Sequence, residues 1–167
     1  RTRDGGVRIA LRQRAVGRGF EVGVEHRQAF HFAPGGAVRV QNRFAVDPAL
    51  DDLPRLGVAL ELTPGFEKLR WLGRGPHESY ADRKAGAALG LWEGSVDEQY
   101  VPYIVPQEYG NKTDTRWLAL EEAGGTGLLV SAEHLFEFSL HHHRLENLTA
   151  ALHTHELRRC DEPLLYL

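Results

Sequence analysis

Residues 20–46 read FEVGVEHRQAFHFAPGGAVRVQNRFAV, with apolar side chains at alternating positions on both sides of a Pro-Gly-Gly turn. Successive residues of a strand point to opposite faces, so this period of two predicts two antiparallel strands joined at residues 34–36. Residues 7–14, VRIALRQR, show the same alternation and precede a glycine-containing turn at residues 17–19. The first third of the chain is therefore predicted to form a three-stranded meander with one buried apolar face.

The same alternation recurs further along the chain, where turn residues separate the apolar runs. Asn147 is placed to cap a short helix over residues 148–157. These patterns predict an all-β fold, a large antiparallel sandwich with one short helix, in a single domain over residues 1–167. The further predicted strands lie at residues 56–62, 66–72, 117–122, 128–132 and 136–140, and another opens at 164–167.

Composition excludes several classes of function. The chain has 167 residues and a net charge of −3, which argues against a nucleic-acid surface or a polybasic membrane patch. Its single cysteine, Cys160, rules out an intrachain disulfide and a cysteine-based zinc site. No apolar run approaches the roughly 18 residues that a membrane helix needs. Because the chain begins at Arg1 and contains no methionine, we expect it to be a truncated piece of a longer protein.

The chemically informative part of the sequence is the irregular stretch 73–111, which is rich in Gly, Pro and aromatic residues. Aromatic faces pack on the apolar side of a pyranose, while carboxylates, amides and arginine bind its hydroxyl groups. The competing interpretation is that the tryptophans belong to the core and that the charged residues hold the loops. The candidate residues for carbohydrate binding or for a loop scaffold are Trp71, Glu78, Tyr80, Arg83, Glu108, Asn111, Arg116 and Trp117.

Glycoside hydrolysis uses two carboxylates about 5–10 Å apart, and the sequence does not show which pair would meet. The acidic candidates are Glu78, Asp82, Glu108 and Asp114. The sequence contains no nucleophile elbow, phosphate-binding loop or dinucleotide fingerprint.

Histidines are the second candidate group, and the sequence predicts no metal site among them. In a strand, only His141 and His143 of the run 141–143 share a face, and the run matches no zinc signature. His153 and His155 are two apart on the predicted helix, which places them on different sides. We therefore expect solvated or hydrogen-bonded histidines.

Four motifs in this region resemble those of the C-terminal, small-chain domain of glycoside hydrolase family 2 β-galactosidases. Residues 71–83, WLGRGPHESYADR, are similar to the family's W-x-G-x-G-P-x-E-x-Y-x-D-R signature. Residues 103–111, YIVPQEYGN, with Arg116-Trp117 behind them, resemble its Y-x-x-P-Q-E-x-G-N block. Residues 53–57, LPRLG, and 153–157, HTHEL, resemble two further family motifs.

The resemblance implies a galactose mutarotase-like supersandwich and a non-catalytic role. In this family, the glutamates that break the bond belong to a TIM-barrel domain earlier in the chain, so no catalytic residue is carried over. The resemblance implies that the parent protein is a glycosidase that hydrolyses terminal β-D-galactosides and that this fragment alone is inactive. Its implied partners are the barrel and the galactoside substrates, with homo-oligomerisation left open and no nucleic-acid or membrane partner.

The same resemblance implies a bacterial, cytoplasmic enzyme. We expect no cofactor in this fragment, while divalent or monovalent cations stay open as cofactors of the parent. Two other functions are left open by the residues. The chain would be a stand-alone carbohydrate-binding module, or a mutarotase-like aldose epimerase with His77, His153 and Glu108 as acid and base.

Overall fold

The computed structural model describes residue 2, residues 5–50 and residues 53–167. Contacts within the chain divide it into two compact units, Arg1–Leu56 and Gly57–Leu167. The assignment of residues 1–167 to one domain stays a prediction.

The first unit is the predicted meander. Strands β1 (Val7–Val16), β2 (Gly23–Phe32) and β3 (Val38–Val46) form an antiparallel sheet in the order β1-β2-β3. Its register places apolar residues opposite one another, as in the row Ile9, Phe30 and Val40. The alternation had predicted these three strands, and they are confirmed.

The apolar face of this sheet differs from the prediction in its burial. Val7 is 47% exposed, and Leu11 is 50% exposed. A sheet buries an apolar face only when another layer packs on it, and a single sheet supplies no such layer. The prediction that this face is buried is therefore wrong for the chain as described.

The second unit is a six-stranded antiparallel sheet in the order β4-β9-β8-β7-β5-β6. Its buried core joins residues from β5, β7, β8 and β9 with Val96 of the loop after β6, and Trp71 packs edge-to-face on Phe138 at 6.1 Å. The all-β class and the antiparallel pairing are thus confirmed. The strands are β4 (Ala59–Glu61), β5 (Lys68–Gly75), β6 (Ala88–Ser95), β7 (Lys112–Glu121), β8 (Gly127–His143) and β9 (Arg159–Tyr166).

Strand β6 was missed by the sequence analysis because glycines occupy its inward positions. A Cβ on Gly90 would lie 3.2 Å from the Trp92 indole, and one on Gly75 of β5 would lie 2.8 Å from it. The tryptophan rings fill the space that side chains would take at these positions. The apolar alternation is therefore absent where the sheet is in fact continuous.

Strand β4 is shorter than the predicted strand over residues 56–62. Leu62 N donates to Pro163 O at 2.9 Å, but Pro163 has no N–H with which to return the bond. On the other side, Val58 and Leu167 exchange two backbone hydrogen bonds just beyond the regular strand. The ladder therefore weakens at Pro163, and only three residues keep regular pairing.

The helix also lies earlier than predicted. Helix α1 spans Leu145–Ala150, and a separate 3-10 turn spans Thr154–Glu156. Asn147 lies inside α1 and does not cap it. Its side chain instead accepts from Arg158 N at 2.6 Å and donates to Glu156 O at 3.2 Å. Two runs predicted as separate strands, 128–132 and 136–140, form the single strand β8.

Within the described residues, the structure contains no helix long and apolar enough to cross a membrane.

Candidate functional site

Glu78 is the centre of a hydrogen-bonded group of loop residues that lies beyond β5. One carboxylate oxygen accepts from Arg83 Nη2 at 2.7 Å and from the Tyr103 hydroxyl, and the other accepts from Gly110 N at 2.8 Å. The Glu78 side chain is only 8% exposed. Burial alone would raise its pKa, but the hydrogen bonds from Tyr103, Gly110 and Arg83 together lower it. Glu78 is therefore held as a carboxylate with both oxygens occupied.

Tyr80 joins this group to the loop that carries Glu108. The Tyr80 hydroxyl donates to Glu108 Oε2 at 2.9 Å, and the Arg83 guanidinium lies 4.5 Å from the centre of the Tyr80 ring. Burial and the nearby Glu108 raise the pKa of Tyr80, so its hydroxyl stays protonated. The aromatic face of Tyr80 is in contact with arginine, which reduces its availability for stacking on a sugar.

Asn111 connects the same loops to the sheet. Its Nδ2 donates to Ser79 O at 2.9 Å and to Glu137 Oε2 at 2.8 Å, while Ser79 N donates to Asn111 O. The hydroxyls of Ser79 and Thr113 lie 2.9 Å apart in a fully buried position. We use the name loop network for the eight loop residues that these hydrogen bonds join: Glu78, Ser79, Tyr80, Arg83, Tyr103, Glu108, Gly110 and Asn111.

Lys112 lies next to the loop network and was missed by the sequence analysis. It is 2% exposed, its Nζ donates to Gly110 O at 3.0 Å, and the same atom lies 5.5 Å from the Trp71 ring centre. Burial lowers the pKa of Lys112 to about 8. A single lysine at the start of a strand normally faces solvent, so the sequence contained no signal for its burial.

Asp114 belongs to a second charged group on strand β7. It has a positive φ of 52°, at a point where the pairing of β7 with β8 shifts register. Its carboxylate binds Arg74 Nε at 2.5 Å and Lys84 Nζ at 2.9 Å, and these two hydrogen bonds lower its pKa. Arg116 is exposed and donates to Asp114 O. Asp82, the remaining acidic candidate, is exposed.

The two candidate tryptophans do not belong to one site. Trp71 is 1% exposed in the core, and its indole N–H donates to Arg74 O at 2.9 Å. Trp117 pairs with Leu72, the neighbour of Trp71, so its ring lies on the opposite face of the sheet. The structure therefore brings together Glu78, Tyr80, Arg83, Glu108 and Asn111, and separates them from Arg116 and Trp117.

His142 and His143 of strand β8 form polar side-chain contacts. His142 is 3% exposed and its Nε2 lies 3.1 Å from Glu67 Oε2, while His143 Nδ1 lies 2.7 Å from the Tyr109 hydroxyl. Burial lowers the pKa of His143, which favours a neutral ring. These contacts agree with the expectation of hydrogen-bonded histidines in this run.

The prediction that His153 and His155 point to different sides is wrong. The backbone of His153 is extended, with φ −137° and ψ 150°, because the residue precedes the 3-10 turn instead of lying in a helix. The two imidazole rings consequently stack with centroids 5.3 Å apart. The arrangement of side chains around an α-helix, on which the prediction relied, therefore does not describe His153 and His155.

A cleft of about 450 Å³ lies at the end of β8 and includes Tyr109, the residue between Glu108 and Gly110 of the loop network. Tyr100 and Tyr109 line it with His143, and Arg159 pairs there with Asp97 at 3.2 Å. None of the eight residues predicted as carbohydrate-binding lines this cleft.

Comparison with known proteins defines the class of protein to which this fold and loop network belong. The sequence profile of the family described as beta galactosidase small chain matches residues 3–167. The chain belongs to this family, and the resemblance inferred from the four motifs is confirmed.

Individual relatives are β-galactosidases from bacteria. The chain is 43% identical to the enzyme of Priestia megaterium over 95 residues, which are 57% of this chain and 9% of that protein. It is 36% identical to the enzyme of Aeromonas hydrophila over 135 residues, or 78% of this chain and 12% of that protein. For the Vibrio cholerae enzyme the identity is 41% over 71% of this chain and 11% of that protein. The chain thus spans about a tenth of the length of these relatives.

Proposed function

We propose that this chain is the small-chain domain of a β-galactosidase and that it supports the enzyme without taking part in bond cleavage. The complete enzyme is a glycosidase that hydrolyses terminal β-D-galactosides. The single observation that carries the supporting role is the state of Glu78. It is the most buried carboxylate of the family motifs, and both of its oxygens are occupied by groups of the loop network.

The chemistry of glycoside hydrolysis supports this assignment. A general acid must hold a proton near the working pH, and a nucleophile must reach the anomeric carbon with a free oxygen. Glu78 has a lowered pKa, and its oxygens accept three hydrogen bonds from the protein itself. Tyr80 and Glu108 are likewise bonded to each other. These contacts hold two long loops in a fixed conformation, which is the role of a scaffold.

In this proposal the partners of the chain are the remaining domains of the same enzyme, including a catalytic TIM barrel that contains the reacting glutamates. Galactosides are the substrates of the complete enzyme, which is bacterial and cytoplasmic and uses metal cations. The complete enzyme, with all its domains, is the species that associates into homo-oligomers. The motif residues of the loop network contribute by fixing the surface that the small-chain domain presents to those partners.

The experiment compares the isolated chain with the complete enzyme encoded by the same reading frame. We expect no hydrolysis of a chromogenic β-galactoside by the isolated chain. In the complete enzyme, Glu78→Gln keeps the shape of the side chain but weakens three hydrogen bonds. We therefore expect a lower melting temperature or less assembled enzyme, with kcat per assembled active site within about two-fold of the wild type.

The control is Glu133→Gln, because Glu133 is exposed on β8. It should change neither assembly nor kcat. A loss of 10³-fold or more in kcat for Glu78→Gln, in enzyme that is fully folded and assembled, would assign Glu78 to the reaction and contradict the proposal. Galactoside turnover by the isolated chain that Glu78→Gln or Glu108→Gln abolishes would do the same.

A further inference from the structure

We propose that His153, His155 and Glu156 form a binding site for a divalent transition-metal ion, with Zn²⁺ as the best-matched ion. The three residues surround the 3-10 turn that follows α1, and all three side chains are exposed. This inference concerns a surface turn outside the loop network and does not depend on the proposed function.

The distances fit coordination by one ion. One ligand atom from each residue lies within 4.8 Å of the other two. Nδ1 of His153 and Oε1 of Glu156 are 3.4 Å apart. With metal–ligand bonds of about 2.0–2.1 Å, two ligands of a tetrahedral zinc ion are about 3.3–3.4 Å apart. The His153–Glu156 pair already has this separation, and rotation of the exposed His155 ring brings the third ligand closer.

The turn fixes Glu156 before any ion binds. Glu156 Oε2 accepts from Leu152 N at 2.7 Å and from His153 N at 3.2 Å, which leaves Oε1 directed towards the His153 ring. The Asn147 side chain holds the turn from behind by bonding to Glu156 O and Arg158 N. The carboxylate is therefore held in place by backbone hydrogen bonds before an ion binds, so fewer groups are ordered on binding.

The ligand set selects the class of ion. Two imidazoles and one carboxylate suit Zn²⁺, Ni²⁺, Co²⁺ and Cu²⁺, whereas Mg²⁺ and Ca²⁺ prefer oxygen ligands. With three exposed protein ligands, the remaining coordination positions of the ion are open to water.

The test is calorimetric titration of the tag-free, chelator-treated chain with Zn²⁺, and again with Mg²⁺. We expect one Zn²⁺ bound per chain and no binding of Mg²⁺ at 1 mM. His153→Gln and His155→Gln should each raise the dissociation constant for Zn²⁺ by ten-fold or more. His134→Gln is the matched control, because His134 is an exposed histidine on β8, and it should leave the dissociation constant unchanged.

NMR spectra of the imidazole ring protons locate the ion independently. Addition of Zn²⁺ should shift the signals of His153 and His155 and leave that of His134 in place. The proposal is wrong if no saturable Zn²⁺ binding occurs up to 1 mM. It is also wrong if Zn²⁺ binds with unchanged affinity to the His155→Gln variant, since the ion is then held elsewhere, for example by residues 141–143.

Discussion

At the scale of single residues, Lys112 shows how a charged group is tolerated in the interior of this fold. Its ammonium group is removed from water, bonded to one carbonyl and placed beside the Trp71 ring. A buried cation with so few partners is stabilised less than it would be in water, and this is why its pKa falls to about 8. The residue therefore couples the stability of the fold to pH.

Replacement of Lys112 by methionine should remove this pH dependence. The unfolded chain binds the lysine proton up to a pH near 10.5, whereas the folded chain releases it near pH 8. Between these values the unfolded state holds more protons, so the free energy of unfolding of the wild type rises with pH. We expect it to gain about 2 kcal/mol relative to Lys112→Met between pH 7 and pH 10, as measured by urea unfolding.

The matched control is Lys68→Met, since Lys68 has a 61% exposed side chain on β5. Its stability should follow the wild type across the same pH range. The tyrosines with raised pKa, such as Tyr80, are present in all three proteins and cancel in the comparison. Parallel pH profiles for Lys112→Met and the wild type would show that Lys112 keeps an ordinary pKa in the folded chain.

At the scale of elements, the loop that leads into β7 depends on one glycine. Gly110 has a φ of +78°, its N–H donates to Glu78, and its carbonyl accepts from Lys112. A Cβ at this position would lie 3.0 Å from the backbone oxygen of Gln99. The backbone shape at Gly110 is thus what joins the loop network to the sheet.

Substitution of Gly110 by alanine should destabilise the fold by about 2 kcal/mol, because it combines a left-handed backbone with a close contact to a backbone atom. Thermal unfolding followed by circular dichroism measures the change. Gly86→Ala serves as the control, since a Cβ there meets nothing within 4 Å. It should change stability by less than about 0.5 kcal/mol. Equal effects of the two substitutions would contradict this account of the loop.

At the scale of the whole molecule, the two units differ in how much apolar surface they bury. The six-stranded sheet contains fully buried residues such as Leu118, Leu120 and Leu140, whereas Ile9 on the meander is 45% exposed. Apolar burial is the main favourable contribution to stability, so the units should open with different free energies.

Hydrogen exchange tests this difference. Amides of β7 and β8, in the middle of the larger sheet, should be protected by at least ten-fold more than amides of the central meander strand β2. The comparison of central strands matters because each of them has a neighbouring strand on both sides. Equal protection of β2 and β7 would mean that the chain unfolds as one cooperative unit and would contradict the prediction.

Much of this architecture follows from local pattern. Alternation of apolar and polar residues predicted β1, β2, β3, β5, β7 and the antiparallel class, because a strand face is decided by residues two apart. The sequence predicted eight candidate site residues, and five of them, Glu78, Tyr80, Arg83, Glu108 and Asn111, meet in the loop network. Their arrangement as a loop scaffold or a sugar site was left open, since a sequence does not record distances between loops.

Other features depended on contacts between distant residues. Strand β6 carries Gly90 where the indole of Trp92 needs space, and Lys112 is buried beside the Gly110 carbonyl and the Trp71 ring. Periodicity in the sequence reflects residues that are close along the chain. These arrangements instead depend on packing between segments that are far apart in the sequence.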